Sequence, residues 1–168
     1  MVPALLAACV ALAGCGYHTP GAVSTIPQEV HTIAVTPWSS FGVQYKLPNV
    51  MAEAVSRELL ARTRYKIVAN PKDADATLTG AVANIVSGAA VADPVTGRST
   101  GAQVIVRIQV KLTDKTGKTL FERPNLEFRE RYELSINPGQ YFDESEVALQ
   151  RLSRDVARTV VSAILENF

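Results

Sequence analysis

Histidine, cysteine and tryptophan are scarce in this sequence: two histidines, two cysteines and one tryptophan in 168 residues. His18 and His31 have no cysteine or carboxylate at ligand spacing, and no HExxH, CxxC or glycine-rich phosphate loop occurs, so metal and phosphate-loop chemistry lack their parts. A serine nucleophile also needs a positioned histidine, and none is placed to serve. No enzymatic activity, metal or cofactor is therefore expected. Net charge is only +1, with both signs interspersed, so the polybasic footprint of a nucleic-acid binder is missing. Internal repeats and low-complexity tracts are absent too. No apolar run reaches the ~20 residues that a membrane-spanning helix requires.

What is present begins at the N-terminus. Residues 2–14 contain no charged side chain, too short a run to span a bilayer but the length of a signal-peptide core. The run stops at Leu12-Ala13-Gly14-Cys15, a branched apolar residue and two small ones before cysteine, which is the pattern of lipoprotein processing. Cleavage before Cys15 and lipidation of its thiol are the expectation, since several acyl chains anchor stably where one does not. An ordinary secretory signal with an incidental cysteine is the alternative, and the cysteine's place at the end of the run argues against it. Gly16, rather than aspartate, follows the cysteine and points to outer-membrane sorting. No Lys or Arg precedes the run, which suggests a natural start upstream of Met1. Cys9 would leave with the signal and Cys15 would carry lipid, so no disulfide is expected. The resulting division is 1–14 signal peptide, 15–29 lipidated tether and 30–168 folded domain.

Residues 30–35 read as a short strand stopped by Pro37, followed by a loop over 38–46. Leu47, Val50, Met51, Ala54, Val55 and Leu59 form one stripe of an amphipathic helix, with Pro48 in its first turn and Glu53, Arg57 and Glu58 opposite. Residues 65–69 suggest a second strand and 76–91 a third, weakened by Gly80 and Gly88 and open to bending. The strongest strand signal is 103–112. There Val104, Val106, Ile108, Val110 and Leu112 alternate with Gln103, Ile105, Arg107, Gln109 and Lys111, as in a sheet covered on one side. A hairpin turn over 114–118 leads into a strand over 119–134. In that strand Phe121 is out of phase with Leu126, Phe128, Tyr132 and Leu134, and a bulge near Pro124 would reconcile them. A helix over 143–165 closes the chain. Asp143 and Glu146 resemble a capping box, Leu149, Leu152, Val156, Val160, Ala163 and Ile164 make the buried stripe, and Arg151 is set to pair with Asp155. The order β-α-β-β-β-β-α describes an α+β two-layer sandwich, a mostly antiparallel or mixed sheet with two helices on one face.

With catalysis set aside, the uncovered sheet face and the loop tips are the candidate binding surfaces. Asp73 and Asp75 read as a polar turn before a strand. The tip over 93–100 carries one arginine, Arg98, either a solvated turn residue or a cation able to pair with phosphate.

The segments Leu12-Ala13-Gly14-Cys15-Gly16-Tyr17-His18, Val30-His31-Thr32-Ile33-Ala34-Val35, Arg62-Thr63-Arg64-Tyr65-Lys66-Ile67-Val68, Ala74-Asp75-Ala76-Thr77-Leu78-Thr79-Gly80 and Phe121-Glu122-Arg123-Pro124-Asn125, with the C-terminal helix, together resemble the LptE family. The resemblance implies an outer-membrane lipoprotein that plugs the LptD β-barrel, helps it assemble and meets lipopolysaccharide on its way to the outer leaflet. It implies Cys15 as the lipidation site and Arg98 as a lipopolysaccharide contact. A second basic residue, expected in the family just before the last helix, is replaced by Tyr141 and Phe142. The alternative from another class is a periplasm-facing ligand-binding or envelope-stress lipoprotein without a barrel partner, which would need a concave apolar pocket.

Overall fold

The computed structural model describes residues 26–41, 46–92, 94–95, 97, 99–133 and 141–166. Among these residues six strands and two helices follow in the order β1 (Thr32–Val35), β2 (Ser39–Ser40), α1 (Lys46–Arg62), β3 (Lys66–Val68), β4 (Ala76–Ala92), β5 (Ser99–Asp114), β6 (Thr119–Glu133) and α2 (Tyr141–Glu166), with a 3-10 turn at Pro71–Asp73. The sheet order is β3-β1-β4-β5-β6, with β2 added to β4. β1 lies parallel to β3 and β4, and β2 parallel to β4, whereas β4, β5 and β6 form an antiparallel meander. Parallel neighbours need a crossover, and α1 supplies it between β1 and β3. The α+β two-layer sandwich expected from the sequence is the fold observed, with a mixed sheet.

The alternation in β5 sets the layers. Val104, Val106, Ile108, Val110 and Leu112 are all buried, while Arg107 and Gln109 are exposed. Leu78 and Val82 pair with Leu112 and Ile108 and share the inner face. Leu47, Met51, Val55 and Leu59 of α1 and Leu152, Val156, Val160 and Ile164 of α2 meet them in one cluster. Each such side chain contributes roughly 1.5–3 kcal/mol when fully buried. Ile26 and Val30 join the same cluster ahead of β1.

The phase conflict in β6 resolves as the sequence suggested. Ile108 pairs with Leu126 but Val110 with Arg123, so Gln109 faces both Pro124 and Asn125. That extra residue turns Phe121, opposite Leu112, to the same inner face as Leu126 and Phe128. β4 has its own irregularity at Ala83, between the Val82–Ile108 and Asn84–Arg107 pairs.

Several expectations need correction. The loop over 38–46 contains β2, because Ser39 and Ser40 pair with Ala81 and Val82 while Trp38 enters the core. Gly80 is no mere weak point in β4: a Cβ there would lie 2.2 Å from Cε2 of Trp38, so only glycine leaves room for the indole. α2 begins at Tyr141, which puts Asp143 inside the helix rather than at its cap. Arg151 pairs not with Asp155 but with Glu130 of β6, Nε to Oε1 at 2.7 Å, tying the helical layer to the sheet. Leu134 lies outside the described residues.

Candidate functional site

The register places a continuous set of side chains on the face turned away from the helices. Lys111, Gln109, Arg107, Ile105 and Gln103 of β5 stand beside Thr79, Ala81, Asn84, Val86 and Gly88 of β4. On the other side, Glu122, Glu127, Arg129 and Arg131 of β6 lie opposite Lys111, Arg107, Ile105 and Gln103. This outer face is therefore uncharged along β4 and charged along β6.

Its centre is a three-residue ion cluster. Arg107 Nε donates to Glu127 Oε2 at 2.9 Å across the strands. Arg129, two residues along β6, donates from Nε and Nη2 to Glu127 Oε1 at 2.9 and 2.6 Å. Arg129 first and Arg107 second hold the Glu127 carboxyl below the ordinary carboxylate range. Arg131 extends the row of cations and has no ion partner among the described residues. Exposed ion pairs contribute only about 0–1 kcal/mol to folding, so stability alone gives little reason for this cluster.

The pole at the start of β1 is bound up in structure. Asp75 accepts from the backbone N–H groups of His31 and Thr32, both at 3.0 Å, and from the Thr32 hydroxyl at 2.8 Å. Those bonds, the one from His31 foremost, lower its pKa, and they fasten β1 to the start of β4. In the adjacent β5–β6 turn Asp114 accepts from Thr116 and Lys118, and Gly117 takes a φ of 87° that suits glycine. No group of three His, Cys, Asp or Glu side chains among the described residues could hold a metal ion.

At the opposite pole the β4–β5 hairpin pairs up to Ala92 and Ser99 and closes through Pro94, Val95 and Gly97, whose φ is 66°. Arg98 and Cys15, the two site residues expected from the sequence, lie outside the described residues. The Arg107–Glu127–Arg129 cluster was half visible in the sequence. Arg107 fell on the polar side of the alternation, but its partners emerge only with the bulge at Pro124 that sets the β6 register.

The sequence and the fold both have known counterparts. The sequence profile of the LptE family, described as lipopolysaccharide-assembly, matches residues 30–164. No curated protein matches the chain in sequence. Among solved structures, lipoprotein B of Nitrosomonas europaea superposes with a TM-score of 0.59 at 14% identity, covering 89% of this chain and 90% of that one. The rare lipoprotein B of Shewanella oneidensis gives 0.55 at 15% identity, covering 79% of this chain and 92% of its own. PelC of Paraburkholderia phytofirmans, solved as a dodecamer, gives 0.53 at 14% identity, with 82% and 89% covered. At such identities the structures speak for the fold alone, and the profile distinguishes the family within it. With that match over most of its length, the chain belongs to the LptE family of lipopolysaccharide-assembly proteins.

Proposed function

We propose that the protein is an outer-membrane lipoprotein, cut before Cys15 and lipidated there, that plugs the LptD β-barrel, assists its assembly and serves lipopolysaccharide transport to the outer leaflet. Membership of the LptE family supports the general role. The observation that carries the barrel partnership is the outer sheet face, which no described element covers, with its Arg107–Glu127–Arg129 cluster. The lumen of a large outer-membrane barrel is polar and wet. Such a charged face suits that lumen, because its charges stay solvated while the sheet holds them in fixed positions, Arg107 on β5, which is paired on both sides, and Glu127 and Arg129 on its neighbour β6. The helical layer buries the apolar surface on the other side, so the domain can enter a lumen without exposing its core.

Direct contact with lipopolysaccharide is assigned to Arg98 at the β4–β5 tip, where a guanidinium can take a phosphate in bidentate fashion. Binding of purified lipopolysaccharide by the Arg98→Glu variant tests this: the affinity falls and the thermal melt stays where it was. Unchanged affinity at low salt removes Arg98 from the site. For the barrel partnership, the mature lipidated protein is extracted in mild detergent and whatever accompanies it is identified. Recovery without a barrel protein contradicts the proposal.

A further inference from the structure

The two outer edges of the long meander are built differently. β6 carries the features that keep a free edge from pairing: Pro124, a bulge beside it, and the charges of Glu122, Arg123, Glu127, Arg129, Glu130 and Arg131. β4 has none of these charges and no proline from Asn84 to its end, and its register with β5 stays regular from Asn84 to Ala89 before shifting around Val91. On the side away from β5 it pairs with β1 at Ala76 to Leu78 and with β2 at Ala81 and Val82. The last bond there among the described residues runs from the Phe41 N–H to the Val82 carbonyl at 3.3 Å. Beyond it, no described residue pairs with β4 on that side.

The stretch that no described residue pairs on that side is Asn84-Ile85-Val86-Ser87-Gly88-Ala89-Ala90-Val91-Ala92, without a charge or a proline. Three of the five large apolar side chains exposed among the described residues lie along this side of the molecule, the other two being Leu60 of α1 and Val147 of α2. Phe41, beside the edge, is 80% exposed, Val86 on it 52%, and Val95 at the tip 90%. A row of unmatched backbone N–H and C=O groups is completed best by another extended chain, and the uncharged side chains around it call for uncharged, apolar neighbours.

We propose that the β4 edge from residue 84 to 92 receives an extended, uncharged segment of the barrel partner as an added strand. This rests on the barrel reading above. A second copy of the chain is a poorer occupant on area. Nine residues at ~3.3 Å each give an edge about 30 Å long, and with a sheet about 10 Å deep the contact covers roughly 300 Å² per side. The sum, about 600 Å², is well under the ~1,200 Å² at the lower end of stable specific interfaces. A strand held only here would dissociate. One delivered by a partner already seated on the adjoining outer face, which Val86 shares, would stay.

The test places a photoreactive p-benzoylphenylalanine at Val86, at Ser87 or, as the control, at Asn125 on the β6 edge, in the full lipidated chain in cells. The expected result is a crosslink to the barrel from Val86 and Ser87 and little from Asn125. Val86→Lys lowers the Ser87 crosslink at least about tenfold, since a charge at a pairing edge opposes strand addition, while its thermal melt is unchanged because Val86 is half-exposed. If the barrel co-purifies but neither Val86 nor Ser87 crosslinks to it, or Asn125 crosslinks as strongly, the edge assignment is wrong and the barrel partnership stands. Crosslinked pairs of this chain overturn the assignment in favour of self-association. Absence of the barrel from every preparation removes both readings.

Discussion

Replacing Gly80 by alanine puts the Trp38 contact to a direct test. A Cβ at residue 80 would lie 2.2 Å from Cε2, 2.3 Å from Cδ2 and 2.6 Å from Nε1 of the indole. Carbon atoms pack comfortably at ~3.5–4.0 Å, so the ring must retreat by more than about 1 Å. β4 cannot yield instead, because Gly80 lies between β5, where it pairs with Val110, and the β2 pairing that begins at Ala81. Trp38 is only 5% exposed and belongs to the core, so it has little room behind it. Overpacking of this kind costs about 1–3 kcal/mol. Complete ejection of the indole sets the ceiling, at the ~3–5 kcal/mol typical of truncating a buried aromatic to alanine. In a Trp38→Ala background the clash has no partner, and Gly80→Ala becomes neutral or gains a few tenths of a kcal/mol from the lower entropy of the unfolded chain. Urea unfolding of the four proteins in this cycle gives the coupling. An interaction of at least about 1 kcal/mol is expected; equal costs of Gly80→Ala with and without Trp38 would refute the packing argument. The contact matters beyond stability, since Trp38 secures the segment that carries β2 and Phe41 along β4.

Two further perturbations read other parts of the fold. Ser153 is buried in α2 and its hydroxyl has no hydrogen-bond partner among the described residues, so Ser153→Ala should stabilise the protein by about 0.5–2 kcal/mol in the same unfolding assay. A loss of stability would mean the hydroxyl is satisfied after all. Asp75 has its pKa lowered by the bonds from His31 and Thr32. Because the folded value lies below the unfolded one, its contribution is complete at neutral pH and disappears as pH falls through 3.8 and on through the folded value. Asp75→Asn should therefore flatten the fall in stability between neutral pH and about pH 3, and an undiminished slope would place the acid sensitivity elsewhere.

What the sequence made legible was whatever depends on periodicity. β5 announced itself through strict alternation, and Pro124 revealed the bulge because two apolar phases met at a residue that cannot donate to the ladder. The strand ends were harder: β5 runs from Ser99 to Asp114 because backbone pairing with β4 and β6 continues past the last apolar side chain. β2 has no signal of its own, being two serines held by their neighbour. α2 starts at Tyr141 without a capping pattern to mark it. The Arg151–Glu130 pair was out of reach because it joins layers rather than helix turns, and local spacing offered Asp155 instead. Of the outer-face cluster, Arg107 could be placed by parity, while Glu127 and Arg129 needed the register.

The central claim is that the outer sheet face meets the barrel, and charge reversal on that face tests it most directly. Arg129 and Arg131 are exposed there, so Arg129→Glu combined with Arg131→Glu leaves the core untouched. Arg57→Glu on the exposed side of α1 serves as the control. Each full-length protein is expressed in cells and recovered in mild detergent, and any LptD-type barrel that accompanies it is quantified. The expected result is full recovery of the barrel with the wild type and the α1 variant, and a large loss with the double variant at unchanged melting temperature. Equal recovery with all three, or a wild-type preparation free of the barrel, would contradict the account.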